Sequence, residues 1–134
     1  MIDTNVILDM ALDRQPFCRE AKIIFQYMES EKIRGHISAS TVTDLFYLLR
    51  KQIGWQNATQ YILDLIEIVD ILCVDKQTII DALLSGRTDF EDAVQMQVAI
   101  ENNMEVIVTR NVKDFPQLTS IQILTPTGLI EKTR

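Results

Sequence analysis

Positive charge is in the minority in this chain: thirteen Lys and Arg stand against nineteen Asp and Glu, for a net charge of −6. A broad basic field of the kind that holds a DNA duplex is therefore excluded. Four glycines and three prolines among 134 residues are too few for a linker-rich or low-complexity protein, and they leave room for uninterrupted helices. Cysteine is scarce as well. Cys18 and Cys73 stand in apolar surroundings without metal-ligand spacing, so they are read as buried free thiols rather than a disulfide or a zinc site. The single histidine, His36, cannot build a histidine-rich metal centre and is expected to decorate a strand edge. No apolar run is long enough to cross a bilayer, and the N-terminus lacks the basic and apolar segments of a signal peptide. No membrane association and a cytoplasmic setting are expected, with one domain over residues 1–134.

What the chain does have is alternation. Met1-Ile2 reads as the end of a strand that is cut short, so the natural chain is expected to start upstream. Pro16 suits a first helical turn, and Phe17, Ala21, Ile24, Phe25 and Met28 follow at helical spacing. His36 to Ala39 is a second strand. Ser40 or Thr41 then opens a helix with Val42, Leu45, Phe46, Leu49 and Ile53 inward, in which Thr41 and Asp44 have the spacing of a cap pair. Gly54 ends it and Asn57 caps the next, along Ala58, Tyr61, Ile62, Leu65 and Ile66; Tyr47, Trp55 and Tyr61 suit either core or dimer contact. Val69 to Val74 is a third strand, and Asp75 caps a helix carrying Ile79, Ile80 and Leu83. Thr88 and Glu91 have capping-box spacing ahead of a helix that buries Phe90, Ala93, Val94, Val98 and Ala99 and ends at Asn102-Asn103. Val106 to Val108 and Ile121 to Leu124 are strands, and a short helix from Thr127 to Ile130 follows Pro126. Strands separated by helices mean a mainly parallel sheet flanked by helices, an α/β fold in three α/β/α layers.

In such a sheet the loops leaving the carboxyl ends of the strands open on one face. Asp3, Asp44 and Asp114 each follow a predicted strand, and Asp92 comes from the first turn of a helix that can point the same way. Taken singly, Asp3 and Asn5 are turn residues and Asp44 a helix cap. Taken together, four carboxylates need a cation or protons, since two unit charges about 4 Å apart repel by roughly 4 kcal/mol at an effective dielectric near 20. Drawn into one metal-holding pocket, they leave thirteen basic against fifteen acidic residues, or −2, on the rest of the body. An all-oxygen donor set favours the hard ions Mg²⁺ or Mn²⁺.

With those residues collected, nearly the whole chain resembles the PIN-domain family, of the kind found among ribonuclease toxins of bacterial toxin–antitoxin pairs. The resemblance rests on Asp3-Thr4-Asn5, the Ser38 to Asp44 segment, Asp89-Phe90-Glu91-Asp92-Ala93, and Thr109-Arg110-Asn111 to Asp114-Phe115. It implies a PIN-like fold in which Asp3, Asp44, Asp92 and Asp114 line a divalent-metal site supported by Thr4, Asn5, Thr109 and Asn111. It also implies hydrolysis of RNA, an antitoxin partner and a homodimer. The second acid of the family is usually Glu, and here it is Asp44, one methylene shorter. Beside Asp92, Glu91 is read as the cap partner and Asp89 as a group that supports the site or faces the metal, with the cap reading favoured. Arg110 and Lys113 are candidates for phosphate contact, as are Arg14, Arg50 and Lys51, each equally well an ordinary surface charge.

Two other readings compete with the nuclease. One is a catalytically weak or inactive PIN-like binding module whose acidic pocket accepts an arginine from a protein partner. The other is a phosphoacceptor or phosphatase with an aspartyl nucleophile, which is disfavoured because Asp3 has Asn5 rather than a second Asp two residues on.

Overall fold

Met1 and Ile2 hold the two halves of the sheet together. In the computed structural model, which describes residues 1–116 and 120–134, strands β1 (Gly35–Ser38) and β2 (Val69–Leu72) pair in parallel, as do β3 (Val106–Val108) and β4 (Gln122–Leu124). Ile2 lies between the pairs. Its N–H donates to the His36 carbonyl at 2.9 Å, it bridges Val108 in parallel, and the Val108 N–H donates to the Met1 carbonyl at 2.8 Å. The order across the sheet is β2, β1, Met1-Ile2, β3, β4. His36 thus sits on an interior strand and not at the edge anticipated for it, with Asp70 of β2 3.6 Å from its Nε2.

Alternation along the strands feeds two cores. Ile2, Ile37 and Val108 face one layer built from α1 (Thr4–Ala11), α2 (Cys18–Glu29), α3 (Ala39–Ile53), α4 (Trp55–Leu65) and α7 (Pro126–Thr133). Met1, Ile107 and Ile123 face the other, built from α5 (Lys76–Leu84) and α6 (Phe90–Glu101). This is the expected α/β/α arrangement, with the expected order of elements. It follows from strands whose successive side chains point to opposite faces, each face covered by helices with an apolar stripe.

Helix starts differ from expectation at four places, the first being α2, which begins at Cys18 and leaves Pro16 outside the helix and Phe17 exposed. Ser38, the last residue of β1, caps α3 by accepting from the Thr41 N–H at 3.2 Å, because strand and helix join without a loop. Asp44 is thereby left in the second turn, free of any capping role. Asp89 rather than Thr88 caps α6, its carboxylate accepting from the Asp92 N–H at 3.0 Å, and Phe90 is 46% exposed instead of buried. Helix α4 begins at Trp55 behind Gly54, and the Asn57 amide donates back to the Ile53 carbonyl. Asp75 and Thr78 do form a capping box on α5, and Asn103 at φ 53° takes the left-handed turn after α6. Of the two thiols, Cys18 is buried but Cys73 is exposed.

One ion pair ties α1 to the exit of β3. Asp9 is 1% exposed, and its Oδ2 lies 2.7 Å from Nε of Arg110, while Arg14 stands farther off at 3.9 Å from Oδ1. The Arg110 guanidinium also covers the Phe17 ring, 3.9 Å from its centroid. Burial raises the Asp9 carboxyl pKa, and Arg110 opposes that rise. Truncating one partner of a buried pair leaves the other charge uncompensated. Arg110→Ala is therefore expected to cost about 3 kcal/mol of unfolding free energy in urea denaturation; a loss below about 1 kcal/mol would place the pair among exposed ones.

Candidate active site

Asp3 is where α1 begins and where the Met1-Ile2 segment ends, and it is 6% exposed. Three segments donate to it. Oδ1 accepts from the Thr4 N–H at 2.8 Å and from Nε2 of Gln95 on α6 at 3.1 Å; Oδ2 accepts from the Thr109 hydroxyl at 2.8 Å. Thr109 follows β3, is fully buried, and its Oγ1 accepts in turn from the Asn111 N–H at 3.0 Å. Thr4 and Asn111 thus support the carboxylate through their backbone, and Thr109 through its side chain. Asn5 lies half-buried on the first turn of α1.

Asp92 lies in the first turn of α6. Burial, then the charges of Asp89, Asp3 and Asp114, push its carboxyl up to about 6, against a partial offset from Arg87. Asp44 and Glu91 form a second group. Their carboxyls share a hydrogen bond, which with burial and the charges of Asp44, Asp89 and Asp92 raises Glu91 to about 7. Glu91 is therefore not the cap partner it resembles in the sequence. It reaches across to the acid that is one methylene short. The shortness of Asp44 was the available signal for a companion carboxylate, but spacing alone assigned Glu91 to the cap.

Asp89, Asp92 and Asp114 open onto a cleft of about 670 Å³ that Arg87 and Lys113 also line. Arg110, anticipated as a phosphate contact, does not line it, being engaged by Asp9 and stacked on Phe17. Arg14 also stands near Asp9, while Arg50 and Lys51 lie in the last turn of α3. Arg87 stands beside Asp92, its pKa lowered by burial and partly restored by that acid; its Nη1 is buried without a partner among the described residues. No feature of the sequence distinguishes Arg87 from its neighbours.

The donor set fits a hard divalent ion. It is all oxygen, its charges repel, and buried Oε1 of Gln95 lacks a donor among the described residues. No three of the acids converge closely enough, among the described residues, to ligate one ion together. Mg²⁺ sites commonly use one or two carboxylates and complete the shell with water, which suits this spacing.

A family model described as PIN domain matches residues 1–113. Among solved structures the chain is similar to one from a toxin–antitoxin complex of Klebsiella pneumoniae, at 22% identity and a TM-score of 0.65, covering 90% of this chain and 92% of that one. That likeness is one of fold. No curated protein matches the chain.

Raised carboxyl pKa values make the metal-free protein pH-sensitive. Asp92 and Glu91 hold their protons in the folded state to about 6 and about 7, above their ordinary 3.8 and 4.5, so the folded state binds more protons in that window. Their contribution to stability is complete below about pH 4 and is lost as pH rises through 6 to 7. In EDTA the melting temperature is expected to fall across this range, and Mn²⁺ at neutral pH is expected to restore it. A profile that rises through pH 6 to 7 in EDTA would contradict the crowding of these acids.

Proposed function

This chain belongs to the PIN-domain family, and on that premise we propose that it is a Mg²⁺- or Mn²⁺-dependent ribonuclease, the toxin of a toxin–antitoxin pair acting in the cytoplasm. PIN domains are generally nucleases that use divalent metals. The observation that carries the reading is the cleft onto which Asp89, Asp92 and Asp114 open beside Arg87 and Lys113, with the buried Asp3 close enough to Asp92 to help burial raise its carboxyl pKa. Such crowding is relieved by a cation.

Asp3, Asp92 and Asp114 are the proposed ion-holding groups, directly or through water, with Asp44, paired with Glu91, next to them. Thr109, Thr4 and Asn111 fix the Asp3 carboxylate so that its oxygens do not turn away, while Asp89 holds the first turn of α6 and hence Asp92. Bound at these acids, the ion lowers the pKa of water and offsets charge on the phosphodiester. Arg87 and Lys113 line the same cleft and are the proposed phosphate contacts. Exposed aromatic surface on α3 and α4, at Tyr47 and Trp55, is the proposed homodimer face.

A second reading is a PIN-like binding module that acts through a protein partner. It is favoured by the absence of any three converging acids among the described residues and by Asp44 standing in place of Glu. Cleavage of a mixed RNA by the purified protein, with Mg²⁺ or Mn²⁺ and with EDTA, separates the two. Metal-dependent cutting is expected, abolished in Asp92→Asn with thermal stability unchanged or raised, since the substitution removes a repelled charge. Equal cutting by wild type and Asp92→Asn would refute the assignment; no cutting and no metal binding would select the binding module. Arg87→Gln is expected to raise KM for RNA by roughly tenfold with a smaller change in kcat, in line with loss of a charge-assisted hydrogen bond to phosphate. An unchanged KM would remove Arg87 from the phosphate path.

A further inference from the structure

Gln95 occupies a position that packing alone would give to an apolar residue. It is 4% exposed, and its buried neighbours on α6 are Ala93, Val94, Met96, Val98 and Ala99. Helical spacing puts it on the same face as Asp92, three residues back, and Glu91, four back. One end of its amide is accounted for, because Nε2 donates to Asp3 Oδ1 at 3.1 Å. The other end is not. Oε1 is buried and has no donor among the described residues. Flipping the amide would bring Oε1 against the Asp3 carboxylate, acceptor against acceptor, so the orientation is dictated. A buried carbonyl oxygen without a donor is rare enough to need a partner, and a water molecule is the donor that fits such a site.

The same contacts restrict what Asp3 can offer. A carboxylate presents about two lone-pair sites on each oxygen. Thr4 and Gln95 take those of Oδ1, and Thr109 takes one of those on Oδ2, which leaves a single site on Oδ2. Asp3 is thereby limited to one-oxygen contact with an ion. The remaining positions around an ion would then fall to the other acids and to water.

We propose that Gln95 is a positioning residue of the ion site, whose Nε2 locks Asp3 into one-oxygen ligation through Oδ2 while its Oε1 accepts a hydrogen bond from a water of the Mg²⁺ or Mn²⁺ shell. This rests on the metal-site reading above. It adds a residue that acts on the ion through Asp3 and through water, and it explains why a glutamine stands in the apolar interior of α6.

Mn²⁺ alone is the probe. Calorimetric titration of the full chain is made on wild type, Gln95→Met and Asp92→Asn, with a crystal structure of the wild type grown in Mn²⁺. Wild type is expected to bind. Gln95→Met, close in shape but without the amide, is expected to bind about 10- to 100-fold more weakly, the usual cost of losing a group that orients a ligand. The crystal is expected to show Asp3 on the ion through Oδ2 only, and a water about 3 Å from Oε1. A purely structural glutamine would lower the melting temperature of Gln95→Met while leaving the Mn²⁺ affinity of its folded form within twofold, and that result overturns the proposal. So does a crystal in which Oε1 meets the ion directly or no water at all, a readout that holds even where Gln95→Met does not fold. Wild type that fails to bind Mn²⁺ overturns the metal-site reading as well, whereas wild type and Gln95→Met binding alike removes only the role of Gln95.

Discussion

A buried carboxylate with donors from three directions organises this protein. Asp3 starts α1, closes the central segment of the sheet through its own N–H to the Val108 carbonyl at 2.9 Å, and takes side-chain donors from α6 and from the exit of β3. Removing water from a carboxylate is expensive unless hydrogen bonds replace it, and here they come from Thr4, Gln95 and Thr109. The cap, the sheet and the packing of α6 are therefore mutually dependent. Each donor is presented by an element whose apolar side is buried in one of the two cores, so the position of Asp3 inherits the rigidity of both.

The ion pair of Asp9 and Arg110 extends the same logic to one side. Asp9 lies six residues after Asp3 on α1, and Arg110 directly follows Thr109. The pair clamps the two segments that meet at Asp3, with Phe17 as a floor beneath the guanidinium. The acids of the cleft are held differently. They are partly exposed, they repel one another, and α6 offers its positive helix end to Asp89, Glu91 and Asp92. Helix dipole and partial hydration keep the cluster tolerable without an ion, while the raised pKa values of Asp92 and Glu91 mark what remains uncompensated.

Much of this was legible in the amino-acid order. Apolar runs such as Val106 to Val108 and stripes such as Ala21, Ile24, Phe25 and Met28 declare strand and helix through their periods, and their alternation implies the parallel sheet. Caps were harder, because Thr88 and Asp89, or Ser38, Ser40 and Thr41, are all good caps lying within a few residues; where the strand ends decides among them. That Asp3 and Asp114 stand on one side followed from topology, since strand ends share a face, while Asp92 reaches them from the first turn of α6 and Asp44 stands apart with Glu91. Which arginine meets that face did not. Arg110 is withdrawn by Asp9, 101 residues away, and Arg87 is left beside Asp92. Gln95 escaped notice for the opposite reason: within an apolar stripe, one polar residue reads as the solvent side until its burial is known.

The seam at Met1-Ile2 bears on the site as well as on the sheet. Two strand pairs are joined by backbone hydrogen bonds through two residues, the N–H of Asp3 making one of them, and both cores run across the join. Any shift at this join moves Asp3 relative to Thr109 and Gln95. The join of the two halves is thus part of the site itself, and a substitution that loosens it at Ile2 reaches the Asp3 carboxylate.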